Sequence, residues 1–380
     1  MFTLGEEALA IRDMARDFAA EKLAPHALEW DEKKHFPVAE MREGAALGMG
    51  GVYVREDVGG SGLTRLDAAV IFEALATGCP TVAAYMSIHN MCAWMVDTFG
   101  NDDQRHAWLP ALVAMDKCAS YCLTEPGAGS DAAALATRAE RSGGHFVLNG
   151  QKQFISGAGN TDDFYVVMAR TGGPGPKGIS AFVVEGGTPG LSFGANERKM
   201  GWNAQPTRAV MFDNCRIPAA NMLGAEGDGF RIAMAGLDGG RLNISACSVG
   251  GAQAALDKAL AYAGERKAFG KKLNEFQALQ FRLADLSIEL EAARLYLYAA
   301  AAAYDRNDAD KTQKIAGAKR FVTDTGFNVA NGALQILGGY GYLSEYGIEK
   351  IVRDLRVHQI LEGTNEIMRL IVARALVAAS

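Results

Sequence analysis

The chain has 380 residues, of which 49% are apolar and 22% charged, with a formal charge of −6. That is too long for one hydrophobic core, so two or three packed units are expected, and the mildly acidic balance builds no broad positive field for a nucleic acid. The six cysteines (Cys79, Cys92, Cys118, Cys122, Cys215 and Cys247) form no CxxC pair and no tight Cys/His cluster, which argues against a zinc or other metal site and reads as reduced, mostly buried thiols in a cytosolic protein.

In chain order, the start reads as helix and not as a secretory leader: Ile11, Met14, Ala15 and Phe18 fall at helical spacing with charges between them. Helical texture runs through residues 1–118, with breaks at Val58-Gly-Gly-Ser-Gly62 and Gly78-Cys-Pro80. Residues 119–225 differ. Short β-prone runs (His145–Leu148, Phe164–Met168, Ile179–Val184, Ala209–Phe212) alternate with Gly, Pro and Asn/Asp, and Asn149-Gly150 between two runs predicts a hairpin turn. Over 226–380 helical texture returns. Phe276, Leu279, Leu283, Leu286, Leu290, Ala293 and Leu297 recur at steps of three and four, a bundle seam, and Asn274 with Gln277 predicts its N-terminal capping box. The longest apolar run, Leu295 to Tyr304, has about half the length needed to span a bilayer and reads as a packed helix.

Four segments have chemical potential. Tyr121-Cys-Leu-Thr-Glu-Pro-Gly-Ala-Gly-Ser-Asp131 runs from a strand into a turn whose small residues let a ligand approach the backbone; it also reads as an ordinary strand-to-loop transition. In Asn149-Gly-Gln-Lys-Gln-Phe-Ile-Ser-Gly-Ala-Gly159, Phe154 suits contact with a flat ring and Ser156 a hydrogen bond to it; the alternative is a strand with one aromatic core residue. Gln335-Ile-Leu-Gly-Gly-Tyr-Gly-Tyr342 holds three glycines in four residues, more than a helix C-cap needs, and suits close approach to a pyrophosphate. In the stretch from Arg353 to Arg369, Glu362 lies between Ile360-Leu361 and Gly363-Thr364. Partial desolvation there would raise its pKa toward that of a useful base, whereas Glu366 better fits an acid at a helix start.

These segments, in this order and on an α-β-α texture, resemble the acyl-CoA dehydrogenase family over nearly the whole chain. Tyr121–Asp131 and Ile360–Arg369 match its two signatures, and Val58–Gly62 and Gly201–Val210 match as well. The resemblance implies an α+β multidomain fold: an N-terminal helical domain, a barrel-like middle β-domain and a C-terminal four-helix bundle. Within the family the chain is most similar to the isobutyryl-CoA branch, on Ser87–Trp94, Arg170–Ser180, Gly239–Ser248 and the Leu361-Glu362 pair.

By the same resemblance the cofactor is FAD. Tyr121, Cys122, Leu123, Thr124, Gly129 and Ser130 would meet the flavin, Ser130 also the thioester. Phe154, Ile155 and Ser156 would form the strand beside it, with Phe154 where many relatives carry Trp. Arg266, Phe269, Phe276 and Gln277 would hold a neighbouring subunit's FAD, together with Gln335, Ile336, Leu337, Gly338 and Gly339. Thr364, Asn365 and Glu366 would contact the chain's own FAD. Asp238, Gly239, Gly240, Arg241 and Arg374 match positions that bind acyl-CoA, and Glu362 is the implied base.

The implied reaction is α,β-dehydrogenation of a short, branched acyl-CoA, isobutyryl-CoA first, with 2-methylbutyryl- or butyryl-CoA as alternatives. Electrons would pass to an electron-transfer flavoprotein. The implied assembly is a homotetramer, a dimer of dimers, in the cytoplasm or as a mature mitochondrial-matrix form, with no nucleic-acid partner and no membrane span. An acyl-CoA oxidase is the nearest alternative; such relatives usually carry extra C-terminal helices, and this chain stops at Ser380. A non-catalytic flavoprotein of the same fold is the other, and one that binds nucleic acid would need a basic face.

Overall fold

A computed structural model describes residues 4–378. The first part is built from α1 (Glu6–Phe18), α2 (Ala27–Lys33), α3 (Val38–Ala46), α4 (Arg65–Gly78), α5 (Pro80–Phe99) and α6 (Asp102–Val113). Two of these helices start at reciprocal caps. The Thr64 hydroxyl accepts from the Asp67 amide while the Asp67 carboxylate accepts from the Thr64 amide, and Asn101 and Gln104 exchange the same bonds before α6. Pro80 opens α5, where the missing N–H costs nothing. Most residues of α4 and α5 are buried, so these two helices form the centre of the molecule, not its surface.

The middle part holds β1 (Ala119–Cys122), β2 (Arg138–Ser142), β3 (His145–Ser156), β4 (Phe164–Arg170), β5 (Ile179–Glu185), β6 (Leu191–Phe193), β7 (Thr207–Pro218) and β8 (Met222–Leu223). They form one sheet in the order β6-β7-β3-β2-β4-β5-β8, with β1 parallel to β4. The two-residue period of a strand serves two cores at once. Tyr165 and Val167 of β4 join Phe146, Phe182 and Phe212 on one face, while Phe164, Val166 and Met168 face the helices with Trp108, Leu112 and Ile232.

Asn149-Gly150 is not a hairpin turn. β3 runs straight through it, paired with β7 on both sides, and the β2–β3 turn lies earlier, at Gly143-Gly144. The register with β7 shifts between Leu148 and Gly150, Gly150 has φ +146°, and the Asn149 side chain accepts from the Asn214 amide. The dipeptide's turn-like preference is used for a bulge.

The last part comprises α7 (Gly229–Glu265), a small hairpin of β9 (Lys267–Ala268) and β10 (Lys271–Lys272), then α8 (Gln277–Asp305), α9 (Lys311–Leu337), α10 (Ile348–Arg356) and α11 (Asn365–Ala378). The predicted seam packs as expected: Leu283, Leu286, Leu290, Ala293 and Leu297 are buried, with Phe276 and Leu279 half-buried at its start. Its cap differs. α8 starts at Gln277 with Phe276 before it and no side-chain cap; the Asn274 backbone carbonyl accepts from Gln280 instead. Gly338, at φ +59°, ends α9. Among the described residues no helix is long and apolar enough to cross a membrane, and no cluster of three potential metal ligands occurs. All six cysteines are buried free thiols.

One buried carboxylate ties the three parts together. Asp354 of α10, with no exposed surface, accepts from the Trp202 amide at 2.6 Å, from the Thr81 hydroxyl of α5 at 2.9 Å and from Lys350 at 2.6 Å. Burial alone would lower the Lys350 ammonium, but Asp354 holds it above its ordinary value. Asp354→Ala would strand a buried cation and an amide, and should destabilise the fold by about 3–5 kcal/mol. Thermal unfolding of the holoenzyme checks this; a melting point unchanged from the parent would contradict it.

Candidate active site

Three chain segments converge on one cleft. The first is the turn after β1, held from inside by a buried ion pair: Lys152 donates to Glu125 at 2.7 Å and to the Leu123 carbonyl at 3.1 Å, and Glu125 also accepts from the Ala136 and Thr137 amides. Burial would raise the Glu125 carboxyl, but Lys152 and these donors hold it below the usual range. The turn is thereby fixed with Thr124, Gly129 and Ser130 on the cleft wall.

The second segment is the end of β3. Its register with β7 slips again between Lys152 and Ile155, placing Phe154 at φ +60°. The slip sends Ile155 into the core and leaves the Phe154 ring 63% exposed in the cleft beside Ser156.

The third is the link from α10 to α11, which carries Glu362. Glu362 and Gly363 take successive left-handed conformations, φ +55° and +88°. For a side-chain-bearing residue this costs about 1–3 kcal/mol and persists only where the surroundings impose it. Here they do. Arg241 Nε of α7 donates to the Glu362 carbonyl at 3.1 Å, and Lys319 Nζ of α9 donates to the Gly363 carbonyl at 2.8 Å and to Asn365 Oδ1 at 3.0 Å. Thr364 caps α11 by accepting from the Ile367 amide, and Glu366 is an exposed first-turn acid held below its usual pKa by its backbone.

The turn aims the Glu362 carboxylate at α7. Its Oε2 is buried and lacks a hydrogen-bond partner among the described residues. Burial pushes the carboxyl up to about 7, with the Lys319 and Arg241 cations pulling the other way. A Cβ at position 240 would lie 2.5 Å from Oε2, so any side chain there would displace the carboxylate from its present position. Gly239 is small for a different reason: a Cβ there would meet the Arg65 guanidinium, also at 2.5 Å.

The cleft has two connected lobes sharing Thr124, Ser130, Phe154, Trp202 and Glu362. One, about 380 Å³, has an apolar lining that includes Ile88, Met91, Phe230, Met234, Leu237 and Ile371. The other, about 620 Å³, runs past Thr207 and Thr364 to Lys199, Arg353 and Arg356. Exposed aromatic surface at one end, hydroxyls along the wall and cations beyond fit a flat ring joined through a polyhydroxyl chain to phosphates.

Not every predicted residue lies here. Cys122 is buried behind the wall in the β-core, whereas Ile155 packs into that core and also lines the cleft. Asp238 is folded onto its own helix, accepting from Arg241 at 2.7 Å and from the Thr312 hydroxyl at 2.8 Å. Arg374 is exposed near the end of α11. Arg266 lines a separate cavity of about 390 Å³ with Ile336, Leu337, Gly338 and Gly339, and Gln335 is exposed next to them. Phe269, 97% exposed, leans on Phe276 across the β9–β10 hairpin, and Gln277 is exposed at the start of α8. Trp202 and Lys319 were not among the predicted site residues. Trp202 falls in the matching Gly201–Val210 stretch without a role assigned to it, and Lys319 stands in no diagnostic motif, although a lysine among Ile315, Ala316, Ala318 and Val322 was a visible sign of a buried partner.

A buried carboxylate facing an apolar lobe and a lobe shaped for a flat cofactor suits proton removal from a weak carbon acid beside a redox ring. The comparisons make the class specific. The chain matches the acyl-CoA dehydrogenase N-terminal domain over residues 5–116, the middle domain over 120–215 and the C-terminal domain over 227–377. It belongs to the acyl-CoA dehydrogenase family, and is a flavin-dependent oxidoreductase with FAD as cofactor. It is 56% identical to the mitochondrial isobutyryl-CoA dehydrogenase of Bos taurus over 98% of this chain and 89% of that one. Among solved structures it resembles butyryl-CoA dehydrogenase from Megasphaera elsdenii (39% identity, TM-score 0.95, 99% and 100% of the two chains). It also resembles PigA with FAD and proline (30% identity, TM-score 0.96, 100% of both chains).

Proposed function

We propose that the protein dehydrogenates isobutyryl-CoA to methacrylyl-CoA, the α,β-oxidation step of valine breakdown, with Glu362 as the base. The observation that carries this reading is the Glu362 carboxylate, unpartnered at Oε2 and raised to about 7, at the mouth of the apolar 380 Å³ lobe. The 56% identity to a protein named isobutyryl-CoA dehydrogenase supports the choice of acyl group.

The acyl chain enters the apolar lobe, where Met91, Met234 and Leu237 exclude water from the reacting carbons. Glu362 takes the α-proton, and at neutral pH enough of it is ionised to do so. Charge then develops on the thioester oxygen, and family resemblance assigns its stabilisation to the Glu362 amide, so the clamped turn fixes donor and base together. Phe154, Thr124, Ser130 and Ser156 would hold the flavin, and Lys199, Arg353 and Arg356 its phosphate end. FAD, when bound, supplies a hydride acceptor for the β-carbon. An electron-transfer flavoprotein is the proposed acceptor that reoxidises the enzyme.

The second cavity supports an assembly in which Arg266 and Ile336–Gly339 serve a neighbouring subunit's FAD in a homotetramer. Six buried free thiols suit a reducing compartment, the cytoplasm or a mitochondrial matrix.

Turnover of an acyl-CoA panel tests the proposal. Isobutyryl-CoA should give the highest kcat/KM, with each methylene removed or added costing about 1–3 kcal/mol of discrimination. A dye acceptor should outperform O2. Octanoyl-CoA exceeding isobutyryl-CoA would refute the acyl assignment, and O2 matching the dye would point to an oxidase.

A further inference from the structure

We propose that Lys319 is the positioning residue for the catalytic base: its ammonium fixes the left-handed Glu362–Gly363 turn from behind and places a cation with no carboxylate of its own beside the Glu362 carboxylate. The inference deepens the reading of Glu362 as the base and rests on it.

Lys319 sits in the middle of α9 with no exposed surface. A lysine there gives up its hydration and needs a compensating partner. Its two acceptors, the Gly363 carbonyl and Asn365 Oδ1, are both neutral. The Asn365 amide group is itself held by Thr323 at 3.0 Å and Asp324 at 2.6 Å, so the acceptor geometry is rigid. Among the described residues Lys319 forms no ion pair within 4 Å, and its strongest charge interaction is with Glu362. Burial lowers its ammonium to about 8, so it remains largely charged at neutral pH.

The other groups around Glu362 cannot take over this role. Arg241 of α7 is charged but already paired with Asp238 at 2.7 Å. Tyr121 of β1 and Cys247 of α7 are pushed well above their ordinary pKa by burial and stay neutral. His358, on the turn before Glu362, is lowered to about 3 by burial and by Lys319, and meets Ser248 at 2.7 Å. Asp324 of α9 and Glu366 of α11 are acids whose charge helps to keep Lys319 ionised. Of the two cations among the described residues whose charge acts on Glu362, Lys319 is therefore the one without a carboxylate of its own.

Two mechanical consequences follow. Arg241 holds the carbonyl of residue 362 and Lys319 that of residue 363, so consecutive peptides are clamped from α7 and α9. Releasing one clamp lets the strained turn relax, while releasing a cation raises the pKa of the base. A purely structural residue would do only the first.

The test is single-turnover FAD reduction by isobutyryl-CoA as a function of pH, using holoenzymes of the parent, Lys319→Gln, Lys319→Met and Lys319→Arg, with FAD content and melting temperature recorded. In the neutral variants the pH midpoint should rise by about one unit. At pH 7 that alone is about a fivefold loss, regained in alkaline buffer. Lys319→Arg should keep the parent midpoint even if its plateau falls. A neutral variant that holds FAD and keeps the parent midpoint overturns the proposal, whatever its rate. Should the neutral variants fail to fold, the Arg variant decides: a raised midpoint with the charge retained overturns the proposal. Glu362→Gln is run alongside. If it keeps the parent rate and inflection, the base reading itself has failed, a result distinct from any failure at Lys319.

Discussion

Glu362→Gln should lower the rate of FAD reduction by isobutyryl-CoA about 10²- to 10⁴-fold, the scale on which a positioned general base contributes. The effect should lie in kcat, because Gln fills the same space and leaves the clamps on the 362 and 363 carbonyls in place. FAD content should match the parent. Stability supplies an internal control whose sign is opposite to that of damage. The folded-state carboxyl is raised from 4.5 to about 7, so ionising it costs the folded state stability above pH 4.5, and the cost is complete above pH 7. Removing it should raise the melting temperature at pH 8 relative to the parent and change little at pH 4. An inactive variant that also melts lower at pH 8 would mean that the substitution had broken the turn.

The second large effect is a relocation. A Cβ at position 240 would lie 2.9 Å from the Glu362 Cδ, so a side chain launched from α7 reaches the space the carboxylate now fills. Glu362→Ala empties that space. Adding Gly240→Glu should then recover FAD reduction by about one to two orders of magnitude over Glu362→Ala alone, below the parent because the longer path crowds a branched substrate. Gly240→Glu by itself should be damaged, since two carboxylates would meet within contact distance and one would have to move or stay protonated. Stopped-flow reduction of the three variants checks both points. A double variant no faster than Glu362→Ala would show that position 240 does not address the reacting carbon.

The parts of the site legible in the sequence are those whose local pattern has one dominant cause. The continuous apolar run Phe164–Met168 suits a strand buried on both faces, the three-four steps from Leu283 to Leu297 suit a helix buried on one, and both elements formed there. The desolvation of Glu362 was legible because it stands between Ile360-Leu361 and a glycine. Asn149-Gly150 misled because the same pair serves a tight turn or a bulge, and pairing with β7 on either side, a contact more than 60 residues away in sequence, decides between them.

Lys319 and Trp202 were missed because their roles are tertiary. Nothing adjacent to Lys319 in sequence says that the Gly363 carbonyl lies 2.8 Å away. Asp238 and Arg241 matched substrate-binding positions by pattern; in the fold they bond to each other, and Arg241 grips the base's own backbone. Gly239 and Gly240 look alike in sequence and serve different neighbours, Arg65 and Glu362.

The most direct test of Glu362 as the neutral-pH base is the pH dependence of anaerobic FAD reduction by isobutyryl-CoA in a single turnover, in the parent and in Glu362→Gln. The parent rate should rise with pH through a midpoint near the raised carboxyl value of about 7, since only the ionised form accepts the α-proton, and the residual rate of Glu362→Gln should show no such inflection. A near-parent rate in Glu362→Gln, with the inflection intact, would contradict it and assign the proton to another group.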